Sequence, residues 1–346
     1  MGTTWSVLLS ENPGDTPPLQ ARLESVLRDI NAQMSTWDPL SLISRINAAE
    51  TGWYALPTAF HTVLSAALEL ARYSQGAYDP TLGELVNLWG FGPTRPAHWP
   101  PSARQIREAL LRSGFKQTAL NNDPPAVWQP GGIQFDLSSI AKGYGVDALA
   151  GVLDEAGLTD YLVELGGELK ARGVGPDGRP WSVRIDHPDN ATEQDATMTA
   201  SGTGQRMPAP WPAHAVPGLA EPTPRALGPK LELCDAAIAT SGDYRRYVVH
   251  QGRRLAHTLD GRNGQPLTHP LASVTVIHPQ CLWADGWATV LLALGLEQAM
   301  RLAQTHNIAA LFLLRDQNDY RVEWTPAFEG LAAASAAPTT ATGTDL

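Results

Sequence analysis

An α+β fold is the architecture this sequence predicts, and three observations predict it. Helical patterns fill the first half, while strand-like runs begin only at Tyr161, a segregated order that argues against a doubly wound parallel sheet. The periodicity changes with them, from 3.6-residue apolar stripes to short apolar runs. A chain of 346 residues with 43% hydrophobic content also buries a sizeable core without disulfides or metal staples.

The elements follow in order. Ala21–Met34 places Leu23, Val26, Leu27, Ile30 and Met34 on one helical face, with Pro17 and Pro18 suited to its start. A second helix is expected from Pro57 to about Ser74, striped by Phe60, Val63, Leu64, Ala67 and Ala71, with Gly76 past its end. A shorter one covers Ile106–Arg112 before Gly114. Ser139–Glu155 reads as a helix stopped by Gly157, with Ser138 or Ser139 able to cap its first amides. Strands are expected at Tyr161–Leu165, Trp181–Ile185, Ser273–Ile277, Ala310–Leu314 and Tyr320–Trp324. Residues 189–229 shift to Pro, Ala, Thr and Gly and include Met207-Pro-Ala-Pro-Trp-Pro212, which sustains neither helix nor central strand, so they read as an inserted surface loop. The chain is thus expected to be one domain, 1–330, followed by a disordered Ala/Thr-rich tail, 331–346.

Composition removes several function classes. The net charge of −10 comes without a basic cluster, which argues against nucleic-acid binding. Cys234 and Cys281 stand in no zinc-like or redox spacing and read as buried thiols. No apolar run approaches the roughly 20 residues of a membrane-spanning helix. Gly173-Val-Gly-Pro-Asp-Gly178 matches the dinucleotide pattern GxGxxG, yet Pro176-Asp-Gly is a turn signal leading into a strand, so a hairpin loop is expected. P-loop, nucleophile-elbow and HExxH patterns are missing from the sequence.

Three local motifs carry chemistry. In Asp136-Leu-Ser-Ser-Ile-Ala-Lys-Gly-Tyr-Gly-Val-Asp147, a helix start presents free amides and a positive dipole end, and Lys142 adds a full charge, as a phosphate site requires. The same residues also suit a capped surface helix with a solvated lysine. Ala284-Asp-Gly-Trp-Ala-Thr289 puts Asp285 and Thr289 at i and i+4, so a carboxylate and a hydroxyl share one helix face. Such an all-oxygen pair suits magnesium, and a plain helix cap by Asp285 suits the pattern as well. In His257-Thr-Leu-Asp260-Gly-Arg-Asn-Gly264-Gln-Pro266, a turn-supported histidine is a candidate general base, with a packed hairpin histidine as the alternative.

Together with Met1-Gly-Thr-Thr, Met34-Ser-Thr-Trp37, Ser44-Arg-Ile-Asn47, Gly76-Ala-Tyr-Asp-Pro-Thr81, Leu85-Val-Asn-Leu-Trp-Gly-Phe-Gly-Pro93, Glu164-Leu-Gly-Gly167 and Thr240-Ser-Gly-Asp-Tyr-Arg245, these motifs resemble the FAD:protein FMN transferase family, called ApbE, from Met1 to about Trp324. The resemblance implies a mixed two-part fold of antiparallel sheets and flanking helices, with FAD in the cleft between the parts and Mg2+ at its pyrophosphate. It places flavin-nucleotide contacts on Met1, Trp37, Ala77, Tyr78, Asp79, Asp136, Lys142 and Leu259, and metal positions on Ser139, Asp285, Ala288 and Thr289. Trp37 and Tyr78 suit walls for planar rings. The implied reaction is attack by a threonine hydroxyl of an acceptor redox protein, in an Asp-Gly-x-Thr-like segment, on FAD. FMN is left in a phosphoester bond and AMP is released, with His257 as base.

Two departures qualify the resemblance. Ala288 stands where some members carry a second carboxylate, and Gly261 stands where Pro is usual, which implies a weaker metal site and a looser turn. The same residues would also serve a FAD pyrophosphatase, or a non-catalytic FAD-binding accessory protein. Family members commonly work outside the cytoplasmic membrane, while this chain starts on the motif residue Met1 with no export signal ahead of it, so the expectation is a leader lost upstream or a processed form.

Overall fold

The computed structural model describes residues 2–11, 16–186, 227–243, 247–251, 253–316 and 319–336. Strand β1 (Trp5–Leu9) alternates half-buried and exposed positions, the period of an edge strand with one face on a core. Helix α1 (Thr16–Met34) takes Pro17 and Pro18 into its first turn, where a missing N–H costs nothing. The short helix α2 (Leu42–Asn47) is capped by the Ser41 hydroxyl, which accepts the Ser44 N–H. After β2 (Gly52–Ala55), α3 (Thr58–Tyr73) begins behind Pro57 and buries the expected stripe of Phe60, Val63, Leu64, Ala67 and Ala71. Helices α4 (Gly83–Leu88) and α5 (Ala103–Leu111) follow, the latter opened by a Ser102–Gln105 capping box.

Strands β3 (Leu120–Asn122) and β4 (Pro125–Gln129) join β2 in a small sheet of order β2-β4-β3. Helix α6 (Ala141–Glu155) then leads to β5 (Tyr161–Leu165), β6 (Glu168–Arg172) and β7 (Trp181–Asp186). Beyond residue 226 come β8 (Leu227–Leu233), β9 (Ala236–Gly242) and two narrow ribbons, β10 (Tyr247–His250) with β11 (Arg253–Ala256), and β12 (Leu259–Asp260) with β13 (Gln265–Pro266). Strand β14 (Leu271–His278), helices α7 (Cys281–Leu294) and α8 (Leu296–Thr305), strands β15 (Ala309–Asp316) and β16 (Asp319–Trp324), and helix α9 (Pro326–Ala336) complete the order.

The main sheet runs β1-β5-β6-β9-β14-β15-β16, and every pairing in it is antiparallel. Strand β14 is buried from Leu271 to Ile277, Ser273 and Thr275 included, because both its faces are covered. Val274 and Val276 point to a core shared with α3 and α7, whereas Ile277 points to a second core built with β7, β8 and α9. Strand β15 divides in the same way, with Ala310, Phe312 and Leu314 on one face and Ala309 and Leu311 on the other. The result is three layers with the helices α6 and α7 against one face of the sheet. A separate cluster joins α4 and α5 to the 257–266 turn through Leu82, Leu85, Trp89, Phe91, Ile106 and Leu259. The Trp89 indole N–H fastens it by donating to the Gly264 carbonyl at 2.8 Å. Among the described residues no helix is long and apolar enough to cross a membrane.

Strands begin at β1 rather than at Tyr161, Cys234 is exposed where a buried thiol is expected, and the bounds of further segments change. Helix α6 starts at Ala141 rather than Ser139, and no side chain of its own leading segment caps it. Helix α9 carries on to Ala336, six residues into the segment expected to be a tail, and Phe328 in its first turn packs on the second core. Of the expected insertion, residues 189–226 lie outside the described residues and the last three belong to β8. The GxGxxG stretch is a turn, closed by Gly175 N–H to Arg179 O at 2.7 Å and Gly178 N–H to Gly175 O at 2.9 Å.

Candidate functional site: the mouth of α6

The segment before α6 is held by Asp136, whose Oδ1 accepts the Ser138 N–H at 2.8 Å in an Asx turn. Its own backbone N–H donates to Pro80 O at 2.8 Å. With no local cap, the third amide of α6 is served from another helix. The Gly143 N–H donates to Asp285 Oδ2 on α7 at 2.9 Å. Only glycine permits this approach, because a Cβ at 143 would lie 2.3 Å from Cys281 O and 2.7 Å from Asp285 Cβ. The exchange is reciprocal, since Asp147 Oδ2 on α6 accepts the Leu282 N–H near the start of α7 at 2.8 Å, while its Oδ1 pairs with Lys170 at 2.7 Å. Each helix caps the other, so Asp285 is fixed across an interface rather than on its own helix alone.

Thr289 stands one turn after Asp285 on α7. Its hydroxyl lies 3.3 Å from Asp285 O, 3.4 Å from Ser139 O and 2.8 Å from Ser241 Oγ. Ser139 therefore faces Thr289 with its carbonyl, while its hydroxyl donates to Tyr78 Oη at 3.2 Å. The Asp285 carboxylate, the Thr289 hydroxyl and the Ser139 carbonyl thus form a sparse set of hard oxygens. That chemistry fits magnesium, which keeps room for substrate oxygens. Among the described residues no group of three His, Cys, Asp or Glu is arranged for a closed metal site, as a zinc-type centre would require. Ala288 is fully buried with its methyl in the core, so it offers no side-chain oxygen.

Lys142, the second residue of α6, pairs its ammonium with Glu168 Oε1 at the start of β6. The lysine side chain keeps 29% exposure and the glutamate 3%. Burial pushes the Glu168 carboxyl up to about 7, although the Lys142 charge opposes it. Burial pulls Lys142 down, but the Glu168 and Asp285 charges prevail, so its pKa rises and it stays charged. Burial also raises Asp285, against Lys142 and the Gly143 N–H. Glu168 escaped the sequence reading. Its signal was a carboxylate placed directly after Gly166-Gly167, where the chain turns through positive φ at both glycines, into a strand of a largely apolar sheet.

The other expected contacts lie at different depths. Tyr78 is only 5% exposed and its ring packs in the core, so it is not an open wall for a planar ligand. Burial raises its hydroxyl far up, and the nearby Asp285, Asp136 and Asp79 charges add to that, so it stays protonated. Asp79 is occupied in fastening its loop, accepting from Thr81 N at 2.9 Å, Thr81 Oγ1 at 2.6 Å and Phe115 N at 2.8 Å. Ala77 is fully buried, and its backbone N–H donates to Ser74 O at 3.1 Å. Trp37 is 59% exposed, beside a polar cleft lined by Thr36, Ser44, Asn47, Asn87, Gln134 and Asp136. Met1 lies outside the described residues.

His257 is half-buried between β11 and β12, edge-on to Phe91 with ring centroids 6.3 Å apart. The acid of its motif serves the turn instead, since Asp260 holds the Arg262 guanidinium at 2.8–2.9 Å. Leu259 is buried in the α4–α5 cluster. The turn is not loosened by Gly261. Its N–H donates to Ala77 O at 3.0 Å, a bond proline cannot make, and a Cβ there would lie 2.4 Å from Gly76 O. Gly261 therefore ties the histidine turn to the Ala77–Asp79 loop.

Known proteins resemble this chain along nearly its whole length. The family model described as "ApbE family" matches residues 1–209 and 210–312. The chain is 33% identical to the FAD:protein FMN transferase of Haemophilus influenzae over 339 residues, covering 96% of this chain and 89% of that protein. It is 33% identical to the protein of the same name from Vibrio cholerae over 329 residues, covering 93% and 87%. The crystal structure of the Pseudomonas stutzeri flavinyl transferase ApbE, apo form, superposes with a TM-score of 0.79 at 34% identity, covering 96% of this chain and 94% of that one.

Proposed function

The chain belongs to the ApbE family, and from that premise we propose that this flavin transferase cleaves FAD with Mg2+ and passes its FMN half to a threonine hydroxyl of an acceptor protein, releasing AMP. One observation carries the proposal: Lys142, Ser139, Asp285 and Thr289 meet at a single helix mouth, although the α6 and α7 segments are far apart in the chain. That mouth offers a positive dipole end and a full positive charge to a pyrophosphate.

Asp285, Thr289 and the Ser139 carbonyl are the residues that would hold Mg2+, which when bound supplies Lewis-acid charge stabilisation to the phosphoryl oxygens. Lys142 binds and orients the pyrophosphate, and the capped α6–α7 interface holds Lys142 and Asp285 in a fixed relation. His257 takes the proton from the acceptor threonine Oγ as that oxygen forms its bond to the FMN phosphorus. The bond to the bridging oxygen breaks and AMP departs. FMN remains joined to the acceptor by a phosphoester, a product that accords with the transfer of FMN from FAD to a protein in the relatives' name.

The test supplies FAD, Mg2+ and an acceptor fragment with an Asp-Gly-x-Thr segment. Flavin fluorescence should remain on the denatured fragment, with AMP released in equal amount, and a threonine-to-alanine fragment should stay unlabelled. Free FMN produced at one rate with or without the fragment would instead establish a pyrophosphatase. FAD bound but never cleaved would establish an accessory protein.

A further inference from the structure

We propose that Glu168 is a positioning residue of the phosphate site, acting through Lys142; the inference rests on the transferase reading above. Glu168 opens β6 directly after Gly166 and Gly167, which turn at φ 62° and 99° and send its side chain under the mouth of α6. There one oxygen, Oε1, holds the Lys142 ammonium. The other, Oε2, is buried without a hydrogen-bond partner.

Stability alone does not account for such a residue. A carboxylate that is 2% exposed and half satisfied costs free energy, and a buried ion pair is often no better for the fold than neutral side chains of similar size. Groups of that kind persist where a site needs them. Lysine is a point charge on a flexible four-carbon stem, so an unanchored Lys142 would sample several rotamers and face the opening in only some of them. Glu168 removes that freedom before the substrate arrives and keeps the nitrogen charged in a desolvated place. The neighbouring Lys170–Asp147 pair is about a fifth exposed at each partner, and its acid is committed to capping α7, so it has no equivalent role.

The experiment measures FAD and riboflavin affinity by flavin fluorescence for the full chain with Mg2+, comparing wild type, Glu168→Gln, Lys142→Met and the double variant. Glu168→Gln should weaken FAD roughly 10–100-fold, the scale of a lost charge-assisted contact, and leave riboflavin unchanged because riboflavin has no phosphate. The double variant should bind FAD no more weakly than Lys142→Met alone, since Glu168 works only through the lysine. Its Tm should stay at or above that of wild type, which separates positioning from a structural role. In turnover, KM for FAD should rise more than kcat falls. Wild-type affinity in Glu168→Gln, multiplying losses in the double variant, or equal losses for riboflavin would overturn the proposal. A wild-type protein that fails to bind FAD would instead overturn the transferase reading itself, before any variant is compared.

Discussion

The Asp285 carboxylate on α7 accepts the Gly143 N–H of α6 at 2.9 Å, so the residue expected to bind metal also caps the helix that carries Lys142. Asp285→Ala should therefore abolish AMP release and lower stability by about 1–2 kcal/mol, the cost of a lost cap on a buried amide. Asp285→Asn keeps an oxygen for Gly143 and should preserve most of the stability while still losing turnover. Thermal unfolding and chromatographic AMP assays read both effects, and undiminished AMP release in either variant would remove Asp285 from the site.

Gly143→Ala tests the closeness of the two helices. The added methyl would meet Cys281 O and Asp285 Cβ at distances no real contact reaches, so α6 and α7 must part. The expected loss is about 1–3 kcal/mol in urea unfolding, with FAD cleavage falling alongside. An unchanged midpoint would show that the interface is looser than described.

His257→Ala should slow fragment labelling by roughly 10²–10⁴ while leaving FAD affinity near that of wild type, as expected of a base that acts on the acceptor. Labelling at the wild-type rate would assign the proton to another group.

The fold also carries a pH dependence at His269, which precedes β14 and packs against Gly295. Burial lowers its pKa below the ordinary 6.5, and the Leu292 carbonyl and the Asp243 charge offset this only in part. The unfolded chain then binds a proton at a higher pH than the folded one. This residue's contribution to stability is present above pH 6.5 and is lost as pH falls through the depressed value. His269→Gln, which never charges, should flatten the fall of Tm below pH 6.5, and identical slopes in both proteins would refute the assignment.

The features legible in the sequence were those that repeat locally. The stripe from Phe60 to Ala71 yields α3 because its period is long enough to register, and Ser273–Ile277 marks β14 because it is a short run rich in β-branched residues. Strand β6, Glu-Leu-Lys-Ala-Arg, mixes charges with apolar residues and shows no clear alternation, and β10 to β13 are two to four residues long, so pattern reading passes over them. At the site, Asp285 and Thr289 were visible as an i, i+4 pair. The cross-helix caps and the Lys142–Glu168 pair were not, because each joins side chains on different elements and leaves no trace in spacing. The looseness expected at Gly261 failed for the same reason, since its bond partner, Ala77, sits on a remote loop.

The antiparallel ladder of β7 and β8 pairs Asp186 with Leu227 and continues through Arg184–Lys230 to Trp181–Leu233, so residues 187–226 leave and return at facing positions of one ladder. The entropic cost of joining two chain ends grows only with the logarithm of the number of residues between them, about 0.6 kcal/mol per doubling. A ladder whose open ends face each other therefore accepts connections of different length at small closure cost, and the α6–α7 pair lies on the other face of the main sheet. For the protein engineer the ladder is a splice point, where a grafted reporter domain would enter and leave at facing positions on the side of the main sheet away from the α6–α7 pair.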